Sequence, residues 1–277
     1  MTGLWARKGL RVFVYFGITL TVIYGGLVAI VYFNQRQLVY PAPPVQGDTP
    51  SGFERVTIRT PDRLDLLAGY RPAHEGMPTL LFFHGNGATW QSSTLVTDRL
   101  VAQGYGLLAV EYRGYGGNPG TPSEEGLYQD GRGAWAFLRA EGVDDAGIVL
   151  LGNSLGAAVA PTLATEVHGR ALVLVSPFNN LGDTAARRMR WLPMRMLLHD
   201  SYANDEKIVQ IGEPILILHG EEDSLIALEQ AQAELDVSVH EVEKAPFAEA
   251  VLPMHEEVAA RSANLADLIT RIKAAAE

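Results

Sequence analysis

Residues 147–160 read GIVLLGNSLGAAVA: four aliphatic residues after a glycine, then Gly152-Asn153-Ser154-Leu155-Gly156, then a run of small residues. The aliphatic run has the composition of a strand buried on both faces, and the small residues suit the opening of a helix. Between them, Gly-x-Ser-x-Gly makes a tight strand-to-helix turn that lifts the serine hydroxyl above the sheet edge. Glycines are needed on either side because side chains there would collide with neighbouring backbone. The helix N-terminus favours negative charge developing beside the serine. A glycine-rich turn without chemistry can carry the same letters; the position between strand and helix is what favours Ser154 as a nucleophile.

Outward from this turn the pattern repeats. Short apolar runs recur at TLLFF (79–83), GLLAVEY (106–112), ALVLVS (171–176), PILIL (214–218) and VSVHEV (237–242). Segments with helical spacing alternate with them, at 90–103, 124–141, 155–167, 225–235 and 256–275. That alternation implies an α/β fold, a mostly parallel, doubly wound sheet covered on both faces. FERVTIR (53–59) and LDLLAGY (64–70), separated by TPDR, are expected to add a leading antiparallel hairpin. Residues 179–212 are expected to form a small cap. Its Met189, Trp191, Leu192, Met194, Met196, Leu197 and Leu198 either receive an acyl chain or pack on the sheet, two alternatives the letters leave open.

Ligands bind beyond the carboxyl ends of such strands, and three further motifs lie there. His84-Gly85-Asn86-Gly87 follows TLLFF, and its turn can aim a backbone N–H beside the serine. The N–H groups of Asn86 and Leu155 are the expected oxyanion hole, with His84 in a structural role that tethers the loop. After PILIL, His219-Gly220-Glu221-Glu222-Asp223 offers Asp223 as the acid that orients a histidine, in preference to Glu221 and Glu222. His255, before the last helical segment, is preferred as the base over His240, which lies inside a strand run. The chain order is then Ser154, Asp223, His255. His74, His168 and His199 have no partner motif and are expected at the surface. The glycines of 114–120 do not have dinucleotide-loop spacing, and Trp90, Tyr112 and Tyr115 are expected to pack in the core, with lining a pocket as the alternative.

The N-terminal part has another character. Residues 12–33 are uncharged and long enough for a helix to cross a ~30 Å hydrocarbon core. Arg7, Lys8 and Arg11 precede the run and only Arg36 follows closely, which places residues 1–11 in the cytoplasm and the remainder outside, periplasmic in a bacterium. A cleaved signal peptide is the rival, but the run is too long for one and no small-residue cleavage site follows. The expected organisation is a cytoplasmic stretch 1–11, a single-pass anchor 12–33, a link 34–52 and one large domain 53–277. The net charge of −10 argues against a nucleic-acid partner. The absence of cysteine excludes disulfides, thiolate metal sites and a cysteine nucleophile.

Taken with QRQLVYPAP, FFHGNG, EYRGYGGNPGTPSEEGLYQD, LLGNSLGAAVA, SYANDEKI and ILILHGEEDSLI, the chain resembles the BEM46-like group of membrane-anchored α/β-hydrolases over nearly its whole length. It departs from the group at Asn153, where Arg or Gln is usual, and at Ala157, where Gly is usual. Leu252-Pro253-Met254-His255-Glu256 also lacks the usual Gly-x-Gly-His or Gly-Glu-His setting. The resemblance implies that Ser154, Asp223 and His255 take the triad positions in a serine hydrolase acting on an ester-type acyl substrate, small or lipid. No cofactor and no metal are implied. The alternatives are an amidase or peptidase using the same residues, or a non-catalytic, membrane-tethered module that retains the fold.

Overall fold

The computed structural model of the protein describes residues 2–43 and 47–219. Seven strands form one sheet in the order β1-β2-β4-β3-β5-β6-β7. The leading hairpin, β1 (Glu54–Arg59) and β2 (Asp65–Arg71), is antiparallel and sits at one edge, where β2 also runs antiparallel to β4 (Gly106–Val110). β3 (Thr79–Phe83), β4, β5 (Ile148–Asn153), β6 (Ala171–Val175) and β7 (Ile215–Leu218) are mutually parallel. The expected strand 237–242 and the helical segments 225–235 and 256–275 lie outside the described residues.

β3, β4 and β5 are buried at every position because both faces of the sheet are covered there. Leu81, Phe83, Leu108, Val110 and Leu150 face α3 (Glu124–Ala140) and α4 (Gly156–Glu166), which contribute Leu127, Ala134, Leu138, Ala158 and Leu163 to one core. Leu80, Phe82, Leu107, Ala109, Val149 and Leu151 face the other way, toward Trp90 and Val101 of the segment that carries α2 (Ser93–Ala102). Each fully buried Leu or Phe stabilises the fold by roughly 1.5–3 kcal/mol, so the alternating sets fix the register of every strand. α3 begins where it does because the Ser123 side chain accepts from the Gly126 N–H at 3.2 Å and Glu124 and Glu125 occupy the first turn.

α1 (Thr2–Val39) continues six residues past the uncharged run. Its stretch Leu10–Val39 is long and apolar enough to cross a membrane. Over its last turns one face, Val28, Val31, Gln35 and Val39, turns away from solvent, the spacing of a single helical stripe. That stripe meets the segment 179–212, which folds as α5 (Leu181–Arg188), α6 (Met194–Leu197) and α7 (Asn204–Ile208). Leu192, Met194 and Leu197 form a small core of their own, with Val28 and Val31 of α1 packed against it. Leu192, Met194 and Leu197 are therefore covered by α1 and by their own segment and not by the sheet, while Trp191 and Met196 stay exposed. Gln35 closes the contact by donating to the Leu197 carbonyl at 3.1 Å and accepting from the His199 N–H at 2.8 Å.

Candidate active site

Ser154 occupies the single turn between β5 and α4 with φ 51, in the left-handed region that costs a non-glycine residue roughly 1–2 kcal/mol. The surroundings impose the conformation. The Ser154 N–H donates to the Val175 carbonyl of β6 at 2.9 Å. A Cβ on Gly152 would lie 2.3 Å from the Gly156 carbonyl oxygen, and one on Gly156 only 2.0 Å from the Phe83 carbonyl oxygen. Both glycines are therefore fixed by close backbone approach. Asn153 and Leu155 are buried while Ser154 keeps partial exposure, so the turn presents the serine at the carboxyl edge of the sheet. Leu155 is the residue that opens α4.

The turn after β3 lies against this one. A Cβ on Gly85 would come within 3.5 Å of the Asn153 carbonyl oxygen and 3.6 Å of the Ser154 Cβ. Ser154, Leu155 and the Gly85-Asn86 turn are thus brought together. Asp223 and His255, with the rivals Glu221, Glu222 and His240, lie outside the described residues. β7 ends at Leu218, beside β6, five residues before Asp223 in the chain.

His84 is fully buried and tethers the loop, as its place in the sequence suggested. Its Nδ1 lies 2.8 Å from the Gly85 carbonyl oxygen and its Nε2 lies 3.0 Å from Glu111 Oε1. The other oxygen of Glu111 accepts from the Trp90 N–H at 3.1 Å. Tyr112 Oη donates to the His84 carbonyl at 2.8 Å. The sequence motifs give Glu111 no role in this group and do not mark Tyr112 as a hydrogen-bond donor to the loop. The signal that finds them is register. β3 and β4 pair in parallel with Phe83 opposite Val110, so the next residues, His84 and Glu111, leave the sheet side by side.

The Asn86 side chain is engaged on both ends. Its Oδ1 accepts from Tyr115 Oη at 2.8 Å, and its Nδ2 donates to the Val39 carbonyl at 2.5 Å, where α1 ends. The residue after the helix, Tyr40, is buried and shares 2.8 Å hydrogen bonds with Asp200 and with Tyr202. Burial pushes the Tyr40 hydroxyl far above its ordinary value, so it stays protonated and can donate. The exit of α1 is therefore bonded both to the turn beside Ser154 and to the 179–212 segment.

Behind the loop, Arg113 is a buried hub. Its Nε donates to Asp130 at 2.8 Å, its backbone N–H to the same carboxylate at 2.9 Å, and its guanidinium fork to Asp62 at 2.7 and 2.9 Å. The Arg113 hydrogen bonds hold Asp62 down at about 2, whereas burial pushes Asp130 up to about 6 in spite of the same partner. The 114–120 turn is closed by Asn118, which accepts from the Leu67 N–H at 2.9 Å and donates to the Glu111 carbonyl at 3.1 Å. Trp90, Tyr112 and Tyr115 are fully buried, in line with core packing. Among the described residues, no three His, Asp or Glu side chains converge as a metal site requires.

Residues 80–208, from β3 through the elbow to α7, match the alpha/beta hydrolase family. The uncharacterized protein Rv2307c of Mycobacterium tuberculosis is 37% identical over 213 residues, 74% of this chain and 75% of that one. The chain belongs to the alpha/beta hydrolase family. The chain is also similar to the lysophosphatidylserine lipase ABHD12 of Rattus norvegicus, 28% identical over 204 residues, 66% of this chain and 51% of that one. The fold resembles that of the Pyrococcus furiosus esterase Pf2001, with a TM-score of 0.59 at 21% identity over 69% of this chain and 81% of that one.

Proposed function

We propose that this alpha/beta hydrolase is a membrane-anchored serine hydrolase that cleaves an ester-type acyl bond through an acyl-enzyme on Ser154. The observation that carries the reading is the strained Ser154 turn, φ 51, clamped by two glycines that leave no room for a Cβ, with the Gly85-Asn86 turn against it. Strain of this kind persists only where the fold over-determines it and clusters at active sites. Arg63, Ser176 and Tyr202 share the positive φ, so it is the glycine clamp and the adjoining Gly85-Asn86 turn that single out Ser154. In the proposed reaction His255 takes the Ser154 proton as the hydroxyl oxygen attacks the acyl carbon, and Asp223 stabilises the imidazolium. The N–H groups of Asn86 and Leu155 stabilise the oxyanion, and losing one such donor typically costs ~10²–10³ in rate. The proton passes to the leaving alkoxide or thiolate. Water, deprotonated by His255, then releases the acid and frees Ser154.

Esters, thioesters and lipids all suit this machinery, and amides differ only in the leaving group. The esterase and lipase names among the relatives favour an ester bond, and a BEM46-like membership would fit both anchor and triad. Within this reading α1 anchors the chain, residues 1–11 lie in the cytoplasm, the hydrolase domain lies outside it, and 179–212 is its cap. Turnover of short activated esters by the full chain tests the chemistry. Ser154→Ala should abolish it with folding intact, and undiminished turnover by a folded variant excludes Ser154 as the nucleophile.

A further inference from the structure

The docking of α5 and α6 along α1 conflicts with a simple anchor. Tyr24 Oη donates to the Trp191 carbonyl at 2.9 Å, and Val28 and Val31 pack on the Leu192, Met194 and Leu197 cluster. Side chains on a helix lean toward its N-terminus, so this contact reaches at least as far down α1 as Tyr24 itself. Residues 12–23 are what the uncharged run 12–33 leaves before that level, twelve residues or about 18 Å of helix. A hydrocarbon core is about 30 Å thick. If α1 spans it, sinking the α5–α6 tip into the leaflet makes up the shortfall of about 12 Å without thinning the bilayer.

The surface of that tip fits such a position. Trp191 is 56% exposed and Met196 84% exposed, on a segment otherwise folded onto its own small core. Four exposed arginines, Arg187, Arg188, Arg190 and Arg195, lie within four positions of Trp191 or Met196 in the chain, and the one acid between residues 181 and 198, Asp183, pairs with Arg195. The chain as a whole carries −10, so this concentration of positive charge runs against the rest of the molecule. Aromatic and thioether side chains flanked by arginines are the chemistry of an interfacial segment, whose apolar face enters the leaflet by roughly 5–10 Å while its cations meet lipid phosphates.

We propose that the α5–α6 tip is a second membrane contact, with Trp191 and Met196 inserted in the leaflet on the domain's side and the arginines on anionic phospholipid headgroups. This rests on the membrane-anchor reading of α1. It places the turn beside Ser154, bonded through Asn86 to the end of α1, close above the lipid surface.

The native chain has no cysteine, so single labels report cleanly. An environment-sensitive fluorophore is attached to Met196→Cys, to Ile18→Cys on the exposed face of α1, or to Glu75→Cys in the exposed turn before β3. Each full-length variant is reconstituted in phosphatidylcholine vesicles with or without phosphatidylglycerol, and quenching by acyl-chain nitroxide lipids is measured. The expected result is strong quenching at 18, quenching at 196 several-fold above that at 75, and a roughly two-fold reduction at 196 in phosphatidylglycerol vesicles for the Arg187→Gln, Arg190→Gln pair. Quenching at 18 with none above background at 196 overturns the proposal and leaves the anchor standing. No quenching at 18 removes the anchor and the proposal together. An unchanged signal in the arginine pair overturns the headgroup contact.

Discussion

Ser154 at φ 51 makes a test that needs no substrate. Replacing it by Gly relieves about 1–2 kcal/mol of left-handed strain, offset by ~0.5–1 kcal/mol of added freedom in the unfolded chain. Ser154→Gly should therefore exceed Ser154→Ala in stability by about 0.5–1 kcal/mol in urea unfolding; equal or reversed stabilities would mean that the turn stores no strain. The choice of base is tested at the same scale. His255→Ala should cost about as much activity as Ser154→Ala because triad members act as a unit, while His240→Ala should stay within a few-fold of the parent. A dead His240 variant beside an active His255 variant reverses the assignment.

At the scale of elements, the site is held by what leaves the strands together. Arg113, just past β4, ties Asp130 of α3 to Asp62 of the β1–β2 turn, and the two carboxyls respond to pH in opposite senses. Asp62, lowered to about 2 from its ordinary 3.8, contributes stability that is present above about pH 4 and lost as pH falls toward 2. Asp130, raised to about 6, holds a proton that the unfolded chain has released, so its contribution falls as pH rises from about 4 to 6. The Asp62 side chain is 41% exposed, and solvent screening keeps its share under about 1 kcal/mol. The stability difference between the parent and Asp62→Asn should shrink below about pH 4; a difference that is constant with pH contradicts the pairing. The strands were legible because residues such as Leu80–Phe83 are buried on both faces, and periodicity reports burial directly. The Ser154 turn was legible because its glycines are sterically required. Glu111 was not, since a lone acid 27 residues from His84 gains a role only through strand register. Nor were the partners of Leu192, Met194 and Leu197, because apolar letters record that a side chain needs cover and not which surface supplies it.

For the whole molecule, the hydrogen bonds from Val39, Tyr40 and Gln35 make the end of α1 part of the domain that carries Ser154. In the proposed reading, an anchor built this way fixes the distance between bilayer and Ser154, where a slack linker would only limit it. That arrangement suits a hydrolase whose acyl substrate resides in or near the membrane, and its meaning depends on Ser154 being reactive. The direct test is to treat the full-length protein in membranes with a fluorophosphonate and locate the adduct by peptide mass spectrometry. The proposed account predicts one covalent phosphonyl group on Ser154, absent in Ser154→Ala and suppressed in His255→Ala. An unlabelled Ser154 in the folded protein would contradict it, and would favour the alternative of a non-catalytic, membrane-tethered module that retains the fold.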